Sequence, residues 1–274
     1  MIKISTPSFI KSLFILELII TFKNLIRNCI TFSFPNLFYI YLDLDYFLFF
    51  NFKMSTYLIT GSNRGIGLEL CRQIHKRGDN VIATCRKASK ELRDLGVRIE
   101  ENIEISSNES ITNLCKKLSG VNLDCLIHNA GIYEFNSFEN LDKKSILRQF
   151  EVNALSPICM TQSLKHFLKR SSKVAFITSR MGSIEDNSSG SSYGYRMSKV
   201  ALSMAAKSLS IDFSRDDIYV AILHPGLVST RMTGFTRNGI SPEESANGLL
   251  KRIDSLNKNN SGMFWHANGE ILPW

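Results

Sequence analysis

One stretch, Thr60-Gly61-Ser62-Asn63-Arg64-Gly65-Ile66-Gly67, limits what this chain can fold into more than any other. It follows the apolar run Tyr57-Leu58-Ile59, which reads as a short buried strand, and it opens an amphipathic segment from Leu68 to Lys76. A strand, a glycine-rich turn and a helix together make a device for holding a nucleotide diphosphate. Glycines let the backbone approach the pyrophosphate, and the free N–H groups at the helix start point at its charge. Alone the pattern is unspecific, and its weight depends on what stands downstream.

Downstream, apolar strand-like runs alternate with longer helical patterns. Strands are expected at residues 56–60, 80–85, within 97–105, 123–128, 173–178 and 218–224. Helices are expected near 66–77, 109–118, 145–169 and 195–214, with a late helix after Pro242 and a short apolar run ending near Trp265. Such alternation implies right-handed βαβ crossovers, a parallel sheet and helices on both faces. No internal repeat or linker divides it, so residues 54–274 read as one α/β domain. In sheets of this kind ligands bind at the carboxyl ends of the strands, which is where the candidate residues below fall.

Composition narrows the function classes. The net charge of +8 is moderate, and its Lys and Arg residues are scattered. No groove-reading helix or aromatic-basic interleaving supports nucleic-acid binding. The cysteines Cys29, Cys71, Cys85, Cys115, Cys125 and Cys159 include no CxxC pair, and most sit among apolar neighbours. That argues for a reducing, cytoplasmic setting and no zinc. His75, His128, His166, His224 and His266 share no metal-ligand spacing, so no metal is expected.

Residues 1–53 differ in kind: they contain no Ala, Gly or Val, yet hold more than half of the 18 Phe residues. Charges at Lys11, Glu17, Lys23 and Arg27, then Pro35, interrupt the apolar pattern before it reaches the roughly 20 residues a spanning helix needs. No small-residue cleavage site follows, as a secretory signal would require. Met54 stands two residues before the first strand. The expectation is that residues 1–53 are translated AT-rich non-coding sequence, an artefact of the gene model. A membrane anchor and a soluble extension are the other readings.

The chemistry gathers after the strands. Tyr195 and Lys199 lie four apart, on one face of a helix. A phenol beside an ammonium can exchange a proton with a carbonyl or alcohol oxygen, though the same spacing also occurs on ordinary surfaces. Ser179 ends a strand 16 residues before Tyr195, so a loop can return both to one pocket, where its hydroxyl would donate to a substrate oxygen or cap a turn. Asn153 lies inside a helix, where Asn is unfavourable unless something needs it. Asn129-Ala130-Gly131 and Pro225-Gly226 close two strands, with small residues or a forced turn.

Together these residues resemble the short-chain dehydrogenase/reductases. TGxxxGxG at Thr60–Gly67, NAG at Asn129–Gly131, the helical Asn153, Ser179, YxxxK at Tyr195–Lys199 and PG at Pro225-Gly226 occur in the family order. Finer features are similar to the branch holding C-factor-like proteins and sniffer-type carbonyl reductases. They include Ala83-Thr84-Cys85-Arg86, Ser179-Arg180-Met181-Gly182, Tyr193-Gly194-Tyr195-Arg196 and Leu272-Pro273-Trp274.

The resemblance implies a single Rossmann-type, doubly wound parallel sheet and a carbonyl reductase or alcohol dehydrogenase activity on a small or medium apolar substrate. A C-factor-type signalling protein that binds nucleotide without needing turnover is the alternative. It implies a catalytic tetrad of Asn153, Ser179, Tyr195 and Lys199. Tyr195 would be the general acid in reduction, Ser179 would orient the carbonyl, Lys199 would lower the Tyr195 pKa and hold the ribose, and Asn153 would fix a relay water. Gly61, Ser62, Asn63, Arg64, Gly65, Ile66, Gly67, Arg86, Asn129, Ala130, Gly131, Pro225, Gly226, Val228 and Thr230 would line the cofactor, and a homodimer through the long helices is implied by analogy. Two departures stand out: His128 replaces the first Asn of the usual Asn-Asn-Ala-Gly, and Glu104 replaces the Asp expected near the adenine. A ribose 2′-hydroxyl wants a carboxylate after the second strand, whereas a 2′-phosphate wants arginine. Arg64 and Arg86, with no carboxylate after that strand, favour NADP(H).

Overall fold

The computed structural model describes residues 54–274, and the expectations for residues 1–53 lie outside them. Among the described residues no helix is long and apolar enough to cross a membrane.

The strands are β1 (Thr56–Thr60), β2 (Asn80–Thr84), β3 (Arg98–Glu100), β4 (Leu123–His128), β5 (Leu168–Ile177), β6 (Tyr219–His224) and β7 (Phe264–His266). They form one sheet in the order β3-β2-β1-β4-β5-β6-β7, every pair parallel. Both faces are covered, so strand interiors are apolar without a break: Leu58, Ile59, Leu126 and Ile127 are all fully buried. Each such side chain contributes about 1.5–3 kcal/mol.

The helices are α1 (Gly65–Lys76), α2 (Lys90–Arg93), α3 (Asn108–Lys117), α4 (Lys143–Phe150), α5 (Ser156–Leu164), α6 (Tyr193–Asp212) and α7 (Pro242–Asp254). Leu70 and Ile74 of α1 pack with Leu249 and Ile253 of α7 on one face. Leu114, Met160, Leu202 and Ala206 from α3, α5 and α6 fill the other. The chain order reverses between β1 and β4, and the crevice at their carboxyl ends is the topological switch point of the sheet.

The third strand, expected within 97–105, spans Arg98–Glu100. Two expectations change. The helix expected over 145–169 is two helices joined by one π-helical turn, Glu151–Leu155, and Leu168 already belongs to β5. Proline supplies the cause. Pro157 has no N–H to give the Asn153 carbonyl four residues back, so the register widens and both the N–H and the hydroxyl of Ser156 bond the Glu151 carbonyl. Finally, α6 begins at Tyr193, which puts Tyr195 in its first turn.

Candidate active site

The first helix is built to meet an anion. α3 and α7 cap their N-termini with Ser107 and Ser241 hydroxyls, whereas α1 has no side-chain cap and no acidic residue in its first turn. Its leading N–H groups therefore stay available. Two glycines keep the approach open. A Cβ on Gly61, whose φ is +68°, would lie 2.8 Å from the Ala130 Cα, and one on Gly67 would overlap the Gly61 carbonyl and lie 2.5 Å from Asn129 Nδ2. This bare backbone cradle fits a dinucleotide pyrophosphate.

Thr60 locks the cradle to β4. Its hydroxyl accepts from the Asn129 and Ala130 N–H groups, each at 3.0 Å, and Asn129 Nδ2 donates to the Thr60 carbonyl at 3.0 Å. Ser62 donates to the Ile59 carbonyl at 2.8 Å. The Asn63 side chain accepts from Ser89 N–H, clipping the loop to the start of α2. Opposite the glycines, Val228 is buried and Thr230 Cγ2 lies 3.4 Å from where a Gly65 Cβ would stand. Pro225 is held by Ser245, whose hydroxyl donates to its carbonyl at 2.7 Å, and Gly226 turns the chain with φ +87°. The glycine run, Asn129–Gly131 and the segment after Pro225 thus converge, although they are far apart in sequence.

Arg64 and Arg86 follow β1 and β2, whose ends are paired at Thr60 and Thr84, so the two loops are neighbours. Both arginines are exposed, and Arg86 forms an ion pair with Glu104 at 3.6 Å. Glu104, expected near an adenine, is thus turned toward Arg86 and also accepts from Ser106 Oγ at 3.3 Å.

Beyond the cradle, Asn153 is fully buried in the π-helical turn. Its amide brackets Ile132: Oδ1 accepts from the Ile132 N–H and Nδ2 donates to the Ile132 carbonyl, both at 2.8 Å. Nδ2 also reaches Ser198 Oγ at 3.0 Å, and Ser198 donates to the Tyr195 carbonyl at 2.7 Å. Gly131 allows this closeness, since a Cβ there would lie 3.1 Å from Asn153 Oδ1 and 3.6 Å from Lys199 Nζ. Asn153, Tyr195 and Lys199 therefore share one corner, and Ser179 bounds it from the end of β5.

Burial pushes the Tyr195 phenol up to about 12, the Ser179 hydroxyl pulls it down, and the Tyr133 phenol adds to the rise. Burial pushes the Lys199 ammonium down to about 8. Lys199 Nζ donates to the Ile177 carbonyl at 2.9 Å and stands 5.6 Å from the Tyr195 ring centroid. The Ser179 hydroxyl favours the phenolate by hydrogen bonding, and a Lys199 ammonium at this distance favours it by its charge. A phenol raised in this way keeps its proton through the neutral range.

Tyr133 escaped the sequence reading. Its ring meets Tyr195 edge-on at 5.0 Å, and its hydroxyl is 3.1 Å from Ser192 Oγ; its place just after Gly131 and Ile132 was the available signal. His128 is structural. It is buried, stacked on Phe176 at 4.9 Å, and its Nε2 lies 2.8 Å from Thr161 Oγ1. Of the cysteines expected to be small hydrophobes, Cys71, Cys85 and Cys125 are buried, whereas Cys159 is exposed. Among the described residues no group of three His, Cys, Asp or Glu side chains is arranged to hold a metal.

The model of one protein family, short chain dehydrogenase, matches residues 55–240. The 1-hydroxy-2-glutathionyl-2-methyl-3-butene dehydrogenase of Rhodococcus sp. (strain AD45) is 39% identical over 226 residues, covering 81% of this chain and 100% of that protein. The C-signal protein of Myxococcus xanthus is 39% identical over 155 residues, 56% of this chain and 93% of its own length. Among solved structures, the NADPH-bound carbonyl reductase from chicken fatty liver superposes with a TM-score of 0.74 at 28% identity, covering 81% of this chain and 100% of that one.

Proposed function

This chain belongs to the short-chain dehydrogenase family of oxidoreductases, and from that premise we propose that it interconverts a carbonyl and an alcohol on a small or medium apolar substrate, using NADP(H). The observation that carries the reading is the convergence of Tyr195, Lys199, Asn153 and Ser179 on one corner beside a glycine cradle open to a dinucleotide. In the reducing direction Ser179 donates a hydrogen bond to the substrate carbonyl and Tyr195 gives its proton to the oxygen. Lys199 holds positive charge beneath the site and is placed to bind ribose hydroxyls, while the Asn153 amide fixes Ile132 and hence the wall that Gly131 begins. When bound, the nicotinamide supplies the hydride.

Arg64 and Arg86 would hold a 2′-phosphate, with Arg86 turning from Glu104 toward the stronger anion; the NADPH in the chicken carbonyl reductase supports this choice. Exposed Tyr133, Leu227, Met232 and Phe235 on the segments flanking the site suit an apolar substrate. The exposed Leu147, Phe150, Met204 and Ile211 on α4 and α6 suit a homodimer, and the free cysteines suit the cytoplasm.

The test is a panel of aldehydes, ketones and quinones, with NADPH oxidation followed by absorbance. Tyr195→Phe is expected to lower kcat by at least about 100-fold while NADPH still binds. Replacing Arg64 and Arg86 by Ala is expected to raise KM for NADPH by roughly 10–100-fold and leave NADH little changed. Equal effects on both nucleotides refute the NADP(H) assignment. The likeness to the C-signal protein favours one second reading, a nucleotide-binding signalling role; it predicts full function in Tyr195→Phe.

A further inference from the structure

We infer that Arg196 is a positioning residue that clamps both ends of the loop between Ser179 and Tyr195, setting the spacing of the two groups that act on the substrate oxygen. The inference rests on the carbonyl–alcohol reading above.

The loop needs a clamp because its second end is strained. Gly190, Ser191 and Ser192 have φ of +62°, +53° and +52° in succession, directly before α6. Left-handed backbone is unfavourable for a non-glycine residue, so two consecutive serines hold it only where surrounding bonds over-determine it. Ser192 makes no side-chain cap on α6, so the strained turn draws its bonds from elsewhere.

Arg196 supplies such bonds. Its Nε donates to the carbonyls of Gly190 at 3.0 Å and Ser191 at 3.1 Å, and its Nη2 to Ser189 Oγ at 2.8 Å. Its Nη1 reaches across to the Met181 carbonyl at 3.3 Å, two residues beyond Ser179. One planar guanidinium thus ties the strained turn before Tyr195 to the turn after Ser179. All its partners are neutral oxygens of this loop.

The rest of the loop is held independently. Ser192 N–H donates to the Asn136 carbonyl at 2.7 Å, and the Ile184 and Glu185 N–H groups donate to the Trp274 carbonyl at 3.1 and 2.9 Å. Beneath the loop, Thr178 Oγ1 donates to the Lys199 carbonyl at 3.1 Å and Lys199 Nζ to the Ile177 carbonyl, which ties β5 to α6. Within the loop itself, Arg196 is the side chain that ties the turn at Met181 to the turn at Gly190 and Ser191. Lysine cannot replace it, because a single ammonium does not offer a fork to carbonyls on two sides.

The experiment compares wild type, Arg196→Ala and Arg196→Lys in the full chain. It reads kcat, KM for NADPH, NADPH affinity by fluorescence, Tm, and hydrogen exchange over residues 181–192. The expected result for Arg196→Ala is a loss of about 10–100-fold in kcat, with KM for NADPH and nucleotide affinity within about twofold and faster exchange confined to 181–192. Arg196→Lys is expected to recover less than half of the lost kcat on a logarithmic scale. Unchanged exchange and kcat in Arg196→Ala overturn the inference, and so does a loss spread equally over kcat, nucleotide affinity and Tm. If wild type reduces no carbonyl, the functional reading fails, and the exchange data alone then decide whether Arg196 clamps the loop.

Discussion

His128 gives this fold a pH-dependent stability. The imidazole is 3% exposed, stacked on Phe176 with an interplanar angle of 12°. Thr161 donates its own hydroxyl proton to the Pro157 carbonyl at 2.7 Å, so its oxygen accepts from His128 Nε2–H. The buried ring is thus held in a place where its charged form loses hydration. Burial accordingly lowers the pKa from 6.5 to about 3. Between those values the unfolded chain binds a proton that the native protein refuses. The contribution of the neutral ring is therefore complete above pH 6.5 and is lost as pH falls toward 3. At pH 5 the gap is 1.5 pKa units, about 2 kcal/mol of stability at 1.36 kcal/mol per unit. His224, pushed to about 3 by burial and by its neighbour His266, adds a similar loss over the same range. Urea unfolding followed by tryptophan fluorescence at pH 7.5 and pH 5 measures the total. His128→Asn, which cannot titrate, is expected to shrink the decline between the two pH values by about 2 kcal/mol at unchanged m. His224 continues to titrate in that variant. An identical decline in wild type and variant refutes the reasoning, because it means that His128 is hydrated or protonated in the native state.

Two further substitutions test the cradle. Gly67→Ala drives a Cβ into the Gly61 carbonyl and Asn129 Nδ2, so urea unfolding should show a loss of about 1–3 kcal/mol and fluorescence titration a loss of NADPH affinity above tenfold. Gly65→Ala meets only Thr230 at 3.4 Å, and its cost should be limited to the positive φ of +55°, about 1–2 kcal/mol. Thr60→Val removes the oxygen that accepts from the Asn129 and Ala130 N–H groups in a buried place. Two orphaned donors should lower unfolding stability by about 2–4 kcal/mol, and a change below 0.5 kcal/mol would mean that water replaces the hydroxyl.

Much of the fold was legible because its signals are local. Near-continuous apolar strands and 3.6-residue periodicity located six of the seven strands, and the glycine run opened α1 where expected. Boundaries moved where a distant or unusual partner decides them. β5 starts at Leu168 rather than at residue 173, because Leu168 pairs with Leu123 of β4 across a register shift. The helix expected over 145–169 breaks at Asn153 because Pro157 withholds an N–H, a rule readable in the sequence only once the helical register is known.

Which chemistry-bearing residues this chain carries, their order and the sheet type that presents them follow from the amino-acid order, since spacing and periodicity are properties of neighbours along the chain. Tertiary structure alone decided how those residues face one another. It turned Lys199 toward the Ile177 carbonyl, paired Arg86 with Glu104, set Tyr133 against Tyr195, and placed Arg196 between Met181 and Gly190. Each contact joins segments that the chain separates and only packing brings within a few ångströms, and desolvation in that packing raises the Tyr195 phenol and lowers the Lys199 ammonium.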